Sequence, residues 1–146
     1  MRRAFLLGAA ALAGCGGLAA CASIESVKNA RGQGVKRTFK QLYDDVYDAA
    51  LAAAARKKLE LVGATRNNGT ILLSHGASLG SLGERIAVFV SRLGDRLTSV
   101  EVVSRPVVST LSFPPAWPSL LFGEIEEELA VPGCRDNPRN QDAGGA

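Results

Sequence analysis

The sequence is poor in the residues that build metal and catalytic centres. It has one histidine and three cysteines among 146 residues, and no two cysteines form a Cys-x-x-Cys pair. Metal sites need several such ligands, so the sequence excludes a metalloenzyme. Aromatic residues make up only 5% of the chain, and no aromatic platform accompanies the basic residues, which argues against nucleic acid as a partner. We expect neither a metal nor a cofactor.

The remaining composition is that of an ordinary globular protein, with 47% hydrophobic and 21% charged residues. It excludes a collagen-like chain, a disulfide scaffold and a wholly disordered chain. At this length we expect one domain with a modest core. The formal net charge of +3 includes Arg2 and Arg3; without these two, 15 basic residues stand against 14 acidic ones, a net charge of +1.

The first two dozen residues have the order of a secretory signal. Arg2 and Arg3 precede an uncharged stretch over residues 4–24. The stretch is long enough to span a bilayer as an uncleaved anchor, but its glycines and many alanines make it a poor spanning helix. The first residues also resemble a twin-arginine export signal, although Met1 and Leu7 stand where that signal usually has serine or threonine and lysine. Both export routes stay open.

Two cysteines end short segments that resemble the lipobox of bacterial lipoproteins, an aliphatic residue and two small residues before a cysteine. The segments are Leu18-Ala19-Ala20-Cys21 and Leu12-Ala13-Gly14-Cys15. The resemblance implies that the thiol receives a diacylglyceryl group and that the signal is cut just before the cysteine. It also implies that the new amine is acylated, for example with palmitate. Two or three acyl chains hold a protein on a membrane durably.

Cys21 is the favoured lipid carrier, and Cys15 is the alternative. Cleavage before Cys15 would leave an apolar signal core of about ten residues, near the short end for a signal. The signal covers residues 1–20 if Cys21 carries the lipid, and residues 1–14 if Cys15 carries it. Neither cysteine is followed by aspartate, which resembles the sorting pattern for the outer rather than the inner membrane. With lipid on Cys21, Cys134 is an unpaired thiol; with lipid on Cys15, Cys21 and Cys134 can form a disulfide.

The chain after the signal divides into a tether, one domain and a tail. Residues 21–34 show no apolar period, which predicts a lipidated N-terminus and a flexible tether that lets the domain stand clear of the bilayer. The domain covers residues 35–130. Spacing predicts strands and helices there, the strands over 35–41, 59–64, 70–75, 84–93 and 97–104 and the helices over 42–58 and from near 117 to 130. We expect residues 131–146 to be disordered.

These elements predict an α+β domain whose antiparallel sheet has four to five strands, with two hairpins, and carries two helices on one face. Asn67-Asn68-Gly69 predicts the turn of the first hairpin, because Asn and Gly tolerate positive φ. The order of elements, together with the lipobox, resembles small uncharacterised periplasmic domains of bacterial lipoproteins. A looser likeness to the accessory lipoproteins of outer-membrane protein assembly is architectural and transfers no functional residues.

Charge is distributed unevenly after the signal. Basic residues lie close to the expected anchor and acidic residues close to the other end, namely Lys28, Arg31, Lys36, Arg37 and Lys40 against Glu124, Glu126, Glu127 and Glu128. Such runs are typical of a solvated linker and a solvated helix face. The alternative is that the basic run rests on anionic lipid head groups or phosphates, which contributes about 1 kcal/mol per charge near such a surface.

One segment spells the nucleophile elbow of serine hydrolases, G-x-S-x-G. It is Gly76-Ala77-Ser78-Leu79-Gly80, and His75 precedes it. The elbow needs a strand, this turn and then a helix in a parallel sheet, whereas here a β-rich run follows. The glycines also lack the Gly-Lys-Ser/Thr of a phosphate-binding loop. We therefore interpret the segment as a connecting loop and expect no catalytic residues.

An apolar group surrounds the one tryptophan and gives the chain a candidate interaction surface. Its members are Phe113, Trp117, Leu121 and Phe122. They either pack onto the sheet or form an exposed anchor of the composition found at binding hot spots. An open sheet edge is a second surface that can receive a partner strand.

The sequence as a whole predicts a non-enzymatic interaction module, anchored by lipid in the envelope of a Gram-negative bacterium and facing the periplasm. Its expected role is in envelope assembly or maintenance, through contact with an envelope protein. The outer membrane is favoured over the inner one. The alternative is a small lipid- or peptide-binding lipoprotein that uses the face between the sheet and the helices.

Overall fold

The computed structural model describes residues 23–78, 81–108 and 115–131, and these residues form an antiparallel sheet of five strands with three helices. The fold class that the sequence predicted is thereby confirmed. The elements in chain order are α1 (Ile24–Lys28), β1 (Val35–Phe39), α2 (Tyr43–Arg56), β2 (Glu60–Thr65), β3 (Thr70–His75), β4 (Glu84–Gly94), β5 (Leu97–Pro106) and α3 (Trp117–Ala130).

The strand order across the sheet is β1-β5-β4-β3-β2, so β1 and β2 are its two edges. Both predicted hairpins are present, β2 with β3 and β4 with β5. The chain also pairs β3 with β4, and β1 with β5, where Val35 lies opposite Val102. Every neighbouring pair is antiparallel, and consecutive side chains therefore alternate between two faces of one sheet.

The helices α2 and α3 cover one face of the sheet and enclose the main core. α2 turns a stripe of residues three and four positions apart to the strands, as the sequence predicted, and its buried residues include Val46, Tyr47, Ala50 and Ala54. Alanine favours helix formation and lets the helix lie close to the sheet. The strands contribute Ile71, Leu73, Ile86, Val88, Val90, Val100 and Val102.

The last helix, α3, begins beside Pro118, which stands in its first turn. Proline is tolerated there because the first N–H groups of a helix have no partner within the helix. The buried residues of α3 are Trp117, Leu121, Phe122 and Ile125, and full burial of a large apolar side chain stabilises the fold by about 1.5 to 3 kcal/mol. None of the helices in the described residues is long and apolar enough to cross a membrane.

A second, smaller core lies on the opposite face of the sheet, beneath α1. The Ser23 hydroxyl caps this helix by accepting from the Ser26 N–H at 3.2 Å. Val27 is 0% exposed and belongs to a cluster with Ala30, Ala87, Phe89 and Val103. The N-terminal segment is therefore packed on the sheet.

Residues 29–34 continue across this face to β1. The N–H groups of Gly32 and Gly34 each donate to Glu101 Oε1 at 2.7 Å, and the Arg31 guanidinium lies 4.5 Å from the centre of the Phe89 ring. The predicted tether is therefore wrong for residues 23–34. One turn of helix is too short to show an apolar period, and its partners lie in strands far along the chain.

The turn between β2 and β3 depends on Gly69, as the sequence predicted. A single turn of 3-10 helix over Arg66–Asn68 leads into Gly69, whose φ is +66°. A Cβ at this position would overlap the carbonyl oxygen of Val90. The Val90 N–H donates to Gly69 O at 2.7 Å, so the same close approach ties the turn to β4.

Candidate functional site

The residues that the sequence singled out as candidate sites fall into two groups. Cys15, Cys21 and Phe113 lie outside the described residues. Trp117, Leu121 and Phe122 are all buried, Trp117 being 4% exposed. The exposed-anchor interpretation is therefore wrong for these three residues, because their spacing places them on the side of α3 that faces the sheet. They belong to the main core.

The connection between β3 and β4 contains the G-x-S-x-G motif, of which Leu79 and Gly80 lie outside the described residues. Ser78 and Ser81 exchange two backbone hydrogen bonds, with N to O distances of 2.8 and 3.2 Å. Gly83 follows with a φ of +104°, and β4 begins at the next residue. A strand thus stands where a nucleophile elbow requires a helix.

The buried carboxylate of Glu84 is the centre of a polar cluster at this end of the sheet. Glu84 is 0% exposed, and its Oε2 lies 2.8 Å from His75 Nδ1. Its Oε1 accepts from the Ser81 hydroxyl, and Ser81 Oγ accepts from the Gly83 N–H at 3.1 Å. A buried carboxyl group is costly unless it is hydrogen-bonded, and His75 and Ser81 give each of its two oxygens a partner.

The order of groups in this cluster differs from that of a catalytic triad. In a triad the imidazole stands between the hydroxyl and the carboxylate and takes the proton of the hydroxyl. Here the Glu84 carboxylate stands between Ser81 and His75. The His75 ring also lies 5.0 Å from the Trp117 ring. The arrangement is suited to closing the loop and seating the start of α3.

Sequence reasoning named His75 and missed Glu84 and Ser81. Glu84 and His75 are partners in the register of β3 and β4, which is a pairing that no local pattern reveals. A glutamate at the start of an apolar strand reads as an exposed strand end. One sequence feature could have indicated the pair: the single histidine ends one predicted strand, and an acidic residue begins the next.

Comparison with known proteins adds no family to this geometry. The sequence matches no protein-family model and no curated protein. Within the described residues, no group of three or more His, Cys, Asp or Glu side chains is arranged to hold a metal ion. The chain's own surfaces and charges therefore carry the functional argument.

Three arginines line an open cleft of about 540 Å³ at one end of the sheet. Each stacks on an aromatic ring at 4.3 to 4.5 Å, the pairs being Arg31 with Phe89, Arg66 with Tyr47 and Arg92 with Tyr43. Burial raises the pKa of both tyrosines above the usual phenol value, so both remain uncharged at neutral pH.

Most of the positive charge in this arginine cleft is neutralised by its neighbours. Arg66 pairs with Asp48 and, at 3.2 Å, with Asp44, and Arg92 lies 3.7 Å from Asp44. Arg31 donates to the carbonyl oxygen of Asn68 at 2.8 Å. The cleft therefore works mainly as a network that fastens α2, the Gly69 turn and the N-terminal segment together.

Ion pairs also join α2 to α3 on the helix side of the molecule. Lys57 Nζ lies 2.6 Å from Glu124 Oε1, and Arg56 Nε lies 2.6 Å from Glu128 Oε1. The hydrogen bond from Lys57 holds the pKa of Glu124 below its usual value. A groove of about 250 Å³ runs between the same helices, lined by Asp45, Asp48, Ala49, Ala52, Glu128 and Leu129 among others.

Basic side chains flank α1 on the other side of the sheet, a surface that we call the α1 face. Arg85 and Arg105 lie directly opposite each other in β4 and β5. Arg85 donates to Ser74 Oγ at 2.8 Å, and Arg105 donates to Gln33 Oε1 at 2.6 Å. Like charges directly opposite each other in an antiparallel pair are destabilising. The hydrogen-bond partners of both arginines are uncharged side chains.

The two edges of the sheet differ in charge. β2 exposes Leu61 and Val62, which are 53% and 49% accessible, and it has no basic residue. A bulge interrupts its pairing with β3 between Leu61 and Gly63. β1 instead presents Lys36 and Arg37, and charged residues on an edge discourage pairing with other chains. With one charged residue, Glu60, against two in β1, β2 is the less charged of the two edges.

Proposed function

We propose that the protein is a lipid-anchored module of the bacterial cell envelope that faces the periplasm and works through contacts, without catalysis. One observation carries the proposal: Cys21, which ends a lipobox, stands two residues before the Ser23 cap of α1. The expected acyl chains and helix α1 are thus adjacent in the chain. An anchor at this position would hold the body directly on the membrane.

The chemistry of the described residues supports a non-catalytic role. The single histidine is engaged by Glu84 and by the Trp117 ring. Two of the three cleft arginines, Arg66 and Arg92, stack on tyrosines and pair with α2 carboxylates. Each of these polar clusters serves a packing contact, and a surface-acting protein needs no more. We propose envelope assembly or maintenance as its process, with a protein of the envelope as partner.

The outer membrane is the proposed site, since Ala22 follows Cys21 where inner-membrane retention favours aspartate. Metabolic labelling with a palmitate analogue tests the anchor. We expect wild type and Cys15→Ser to incorporate the label in membrane fractions and Cys21→Ser to lose it. Equal labelling of Cys21→Ser would contradict lipidation at Cys21, and absence of label in the wild type would contradict the lipoprotein function.

A second candidate function, peptide binding, is favoured by the exposed edge β2. An extended peptide can add a strand to such an edge through main-chain hydrogen bonds. The half-exposed side chains of Leu61 and Val62 offer an apolar strip beside those bonds. The partner would then be an extended segment of an envelope protein.

Two matched edge variants test strand addition. Val62→Lys places a charge on β2, and Val35→Lys places the same charge on β1 at a position of similar exposure, 55% against 49%. After crosslinking in native envelopes, Val62→Lys is expected to lose a stoichiometric protein partner that Val35→Lys keeps. Equal retention in both variants would contradict strand addition at β2, and copurifying lipid without protein would favour lipid binding.

A further inference from the structure

We infer that the α1 face is the surface on which the protein lies against anionic phospholipid head groups. The inference rests on the proposed function, because it takes Cys21 as the anchored residue. It extends that function by assigning the membrane-facing side of the fold. The opposite side, which carries α2 and α3, is then presented to the periplasm.

The first step is the reach of the chain between lipid and fold. Ser23 caps α1 and therefore belongs to the packed body. Two residues of fully extended chain span at most about 7 Å, so a lipid on Cys21 holds Ser23 at the depth of the head groups. A lipid on Cys15 would leave eight residues, a reach of about 28 Å. Only anchoring at Cys21 forces contact.

The second step is the side of the molecule on which this short connection arrives. α1 packs on the face of the sheet opposite to α2 and α3, through Val27 against Ala87, Phe89 and Val103. The body therefore meets the membrane near the α1 face. The helices α2 and α3 lie a full sheet thickness further away.

The third step is the charge of that face. Five basic residues lie on it, in α1, in the following segment and in the strands: Lys28, Arg31, Lys36, Arg85 and Arg105. Its acidic residues are Glu25, Glu60 and Glu101. The Glu101 side chain is only 6% exposed and accepts from two backbone N–H groups. The surface that remains is positive.

The other side has no such excess of positive charge. α2 and α3 together carry seven of the twelve acidic residues in the described ranges, and the basic residues beside them are paired with these carboxylates, namely Arg37, Arg56, Lys57, Arg66 and Arg92. An anionic surface therefore favours contact with the α1 face. In this orientation Arg85 and Arg105 would contact the lipid phosphates. These two like charges lie directly opposite each other in the sheet, an arrangement that is destabilising without an anionic partner.

Fluorescence quenching on vesicles tests the assigned face. The natively lipidated protein carries Cys134→Ser and one new labelling site for an environment-sensitive dye, either Thr38→Cys or Glu127→Cys. Thr38 is exposed and lies on the same sheet face as Lys36, whereas Glu127, 70% exposed, lies on α3. The vesicles contain phosphatidylcholine alone or with about one third phosphatidylglycerol, and the quencher is neutral acrylamide.

We expect phosphatidylglycerol in the vesicles to reduce the acrylamide quenching of the dye at position 38. The quenching of the dye at position 127 should not change. Arg85→Gln with Arg105→Gln should remove the shielding, since each charge is worth about a 5-fold change in the docking equilibrium. Arg37→Gln with Arg92→Gln removes the same net charge from the helix side of the sheet, and this variant should keep the shielding of the dye at position 38. Circular dichroism checks that both double variants are folded.

The outcomes separate this inference from the proposed function. Intact mass of the same sample shows whether acyl chains are present and on which cysteine. A protein without acyl chains would overturn the proposed function, and the inference with it. A protein lipidated on Cys21 whose dyes at 38 and 127 are quenched equally would overturn the inference alone, as would equal loss of shielding in the two double variants.

Discussion

His75 Nδ1 lies 2.8 Å from Glu84 Oε2, across the pair of residues where β3 ends and β4 begins. The histidine also contacts the Trp117 ring at the start of α3. The Glu84–His75 contact thus connects β4 with β3 and, through the His75 ring, with the start of α3. Removal of the Glu84 carboxylate leaves the buried Ser81 hydroxyl and the partly exposed His75 ring without this partner.

We therefore expect Glu84→Ala to lower the free energy of unfolding by about 1 to 3 kcal/mol, the cost of leaving a buried polar group without its hydrogen-bond partner. Urea denaturation followed by circular dichroism measures the change. Glu127→Ala removes a carboxylate that is 70% exposed and should change stability by less than about 0.5 kcal/mol. Similar losses in the two variants would show that Glu84 is not a structural centre.

The turn at Gly69 gives a second prediction, which compares the stability of two glycine-to-alanine variants. Gly69→Ala requires an L side chain at a φ of +66° and against the Val90 carbonyl oxygen, so we expect a loss of at least about 2 kcal/mol in thermal or urea unfolding. Gly63→Ala meets no atom within 4 Å and is expected to be nearly neutral. A neutral Gly69→Ala would contradict the close approach of the turn to β4.

Arg31→Ala tests the packing of the N-terminal segment. The side chain stacks on Phe89 and donates to Asn68 O and Thr70 Oγ1 at 2.8 and 3.2 Å. Its loss should expose residues 24–34, seen as faster amide hydrogen exchange there, and should destabilise the fold by about 1 to 2 kcal/mol. Arg96→Ala, in the β4–β5 turn, should leave the exchange of residues 24–34 unchanged. If these amides exchange as fast in the wild type as in Arg31→Ala, the segment is a flexible tether after all.

The Lys57–Glu124 pair predicts a pH effect with a defined sign. Lys57 holds the pKa of Glu124 below its usual value, so the pair stabilises the fold fully above the usual glutamate pKa, and the stabilisation is lost as pH falls through the lowered value. Lys57→Gln should move the Glu124 pKa upward, measured by carboxyl-carbon NMR titration. Lys58→Gln should leave the Glu124 pKa unchanged. If Lys58→Gln raised it as much as Lys57→Gln does, Lys57 would not be the residue that lowers the Glu124 pKa.

The sequence predicted the strands and the two hairpins of the sheet because the strands obey simple periodicity. The residues Ile86, Val88 and Val90 face the main core, and Ala87 and Phe89 face α1, as the alternation in β4 requires. The α2 stripe is set by its helical spacing in the same way. Patterns within ten to fifteen residues were therefore enough for the class and the two hairpins.

The features that the sequence missed depend on contacts between distant segments. Residues 23–34 looked like a tether because Val27 and Arg31 find their partners in β4, about 60 residues away. The apolar group at Trp117 left two interpretations open, since an amphipathic stripe does not say whether it faces a core or a partner. Glu84 was missed because only the register of β3 and β4 brings it to His75.

The mass of the intact native protein, extracted from membranes with detergent, tests the proposed anchor most directly. The predicted chain begins at Cys21, lacks residues 1–20 and carries the added mass of a diacylglyceryl group and an amide-linked acyl chain. Retention of Met1, or a processed chain with no added lipid mass, would contradict it.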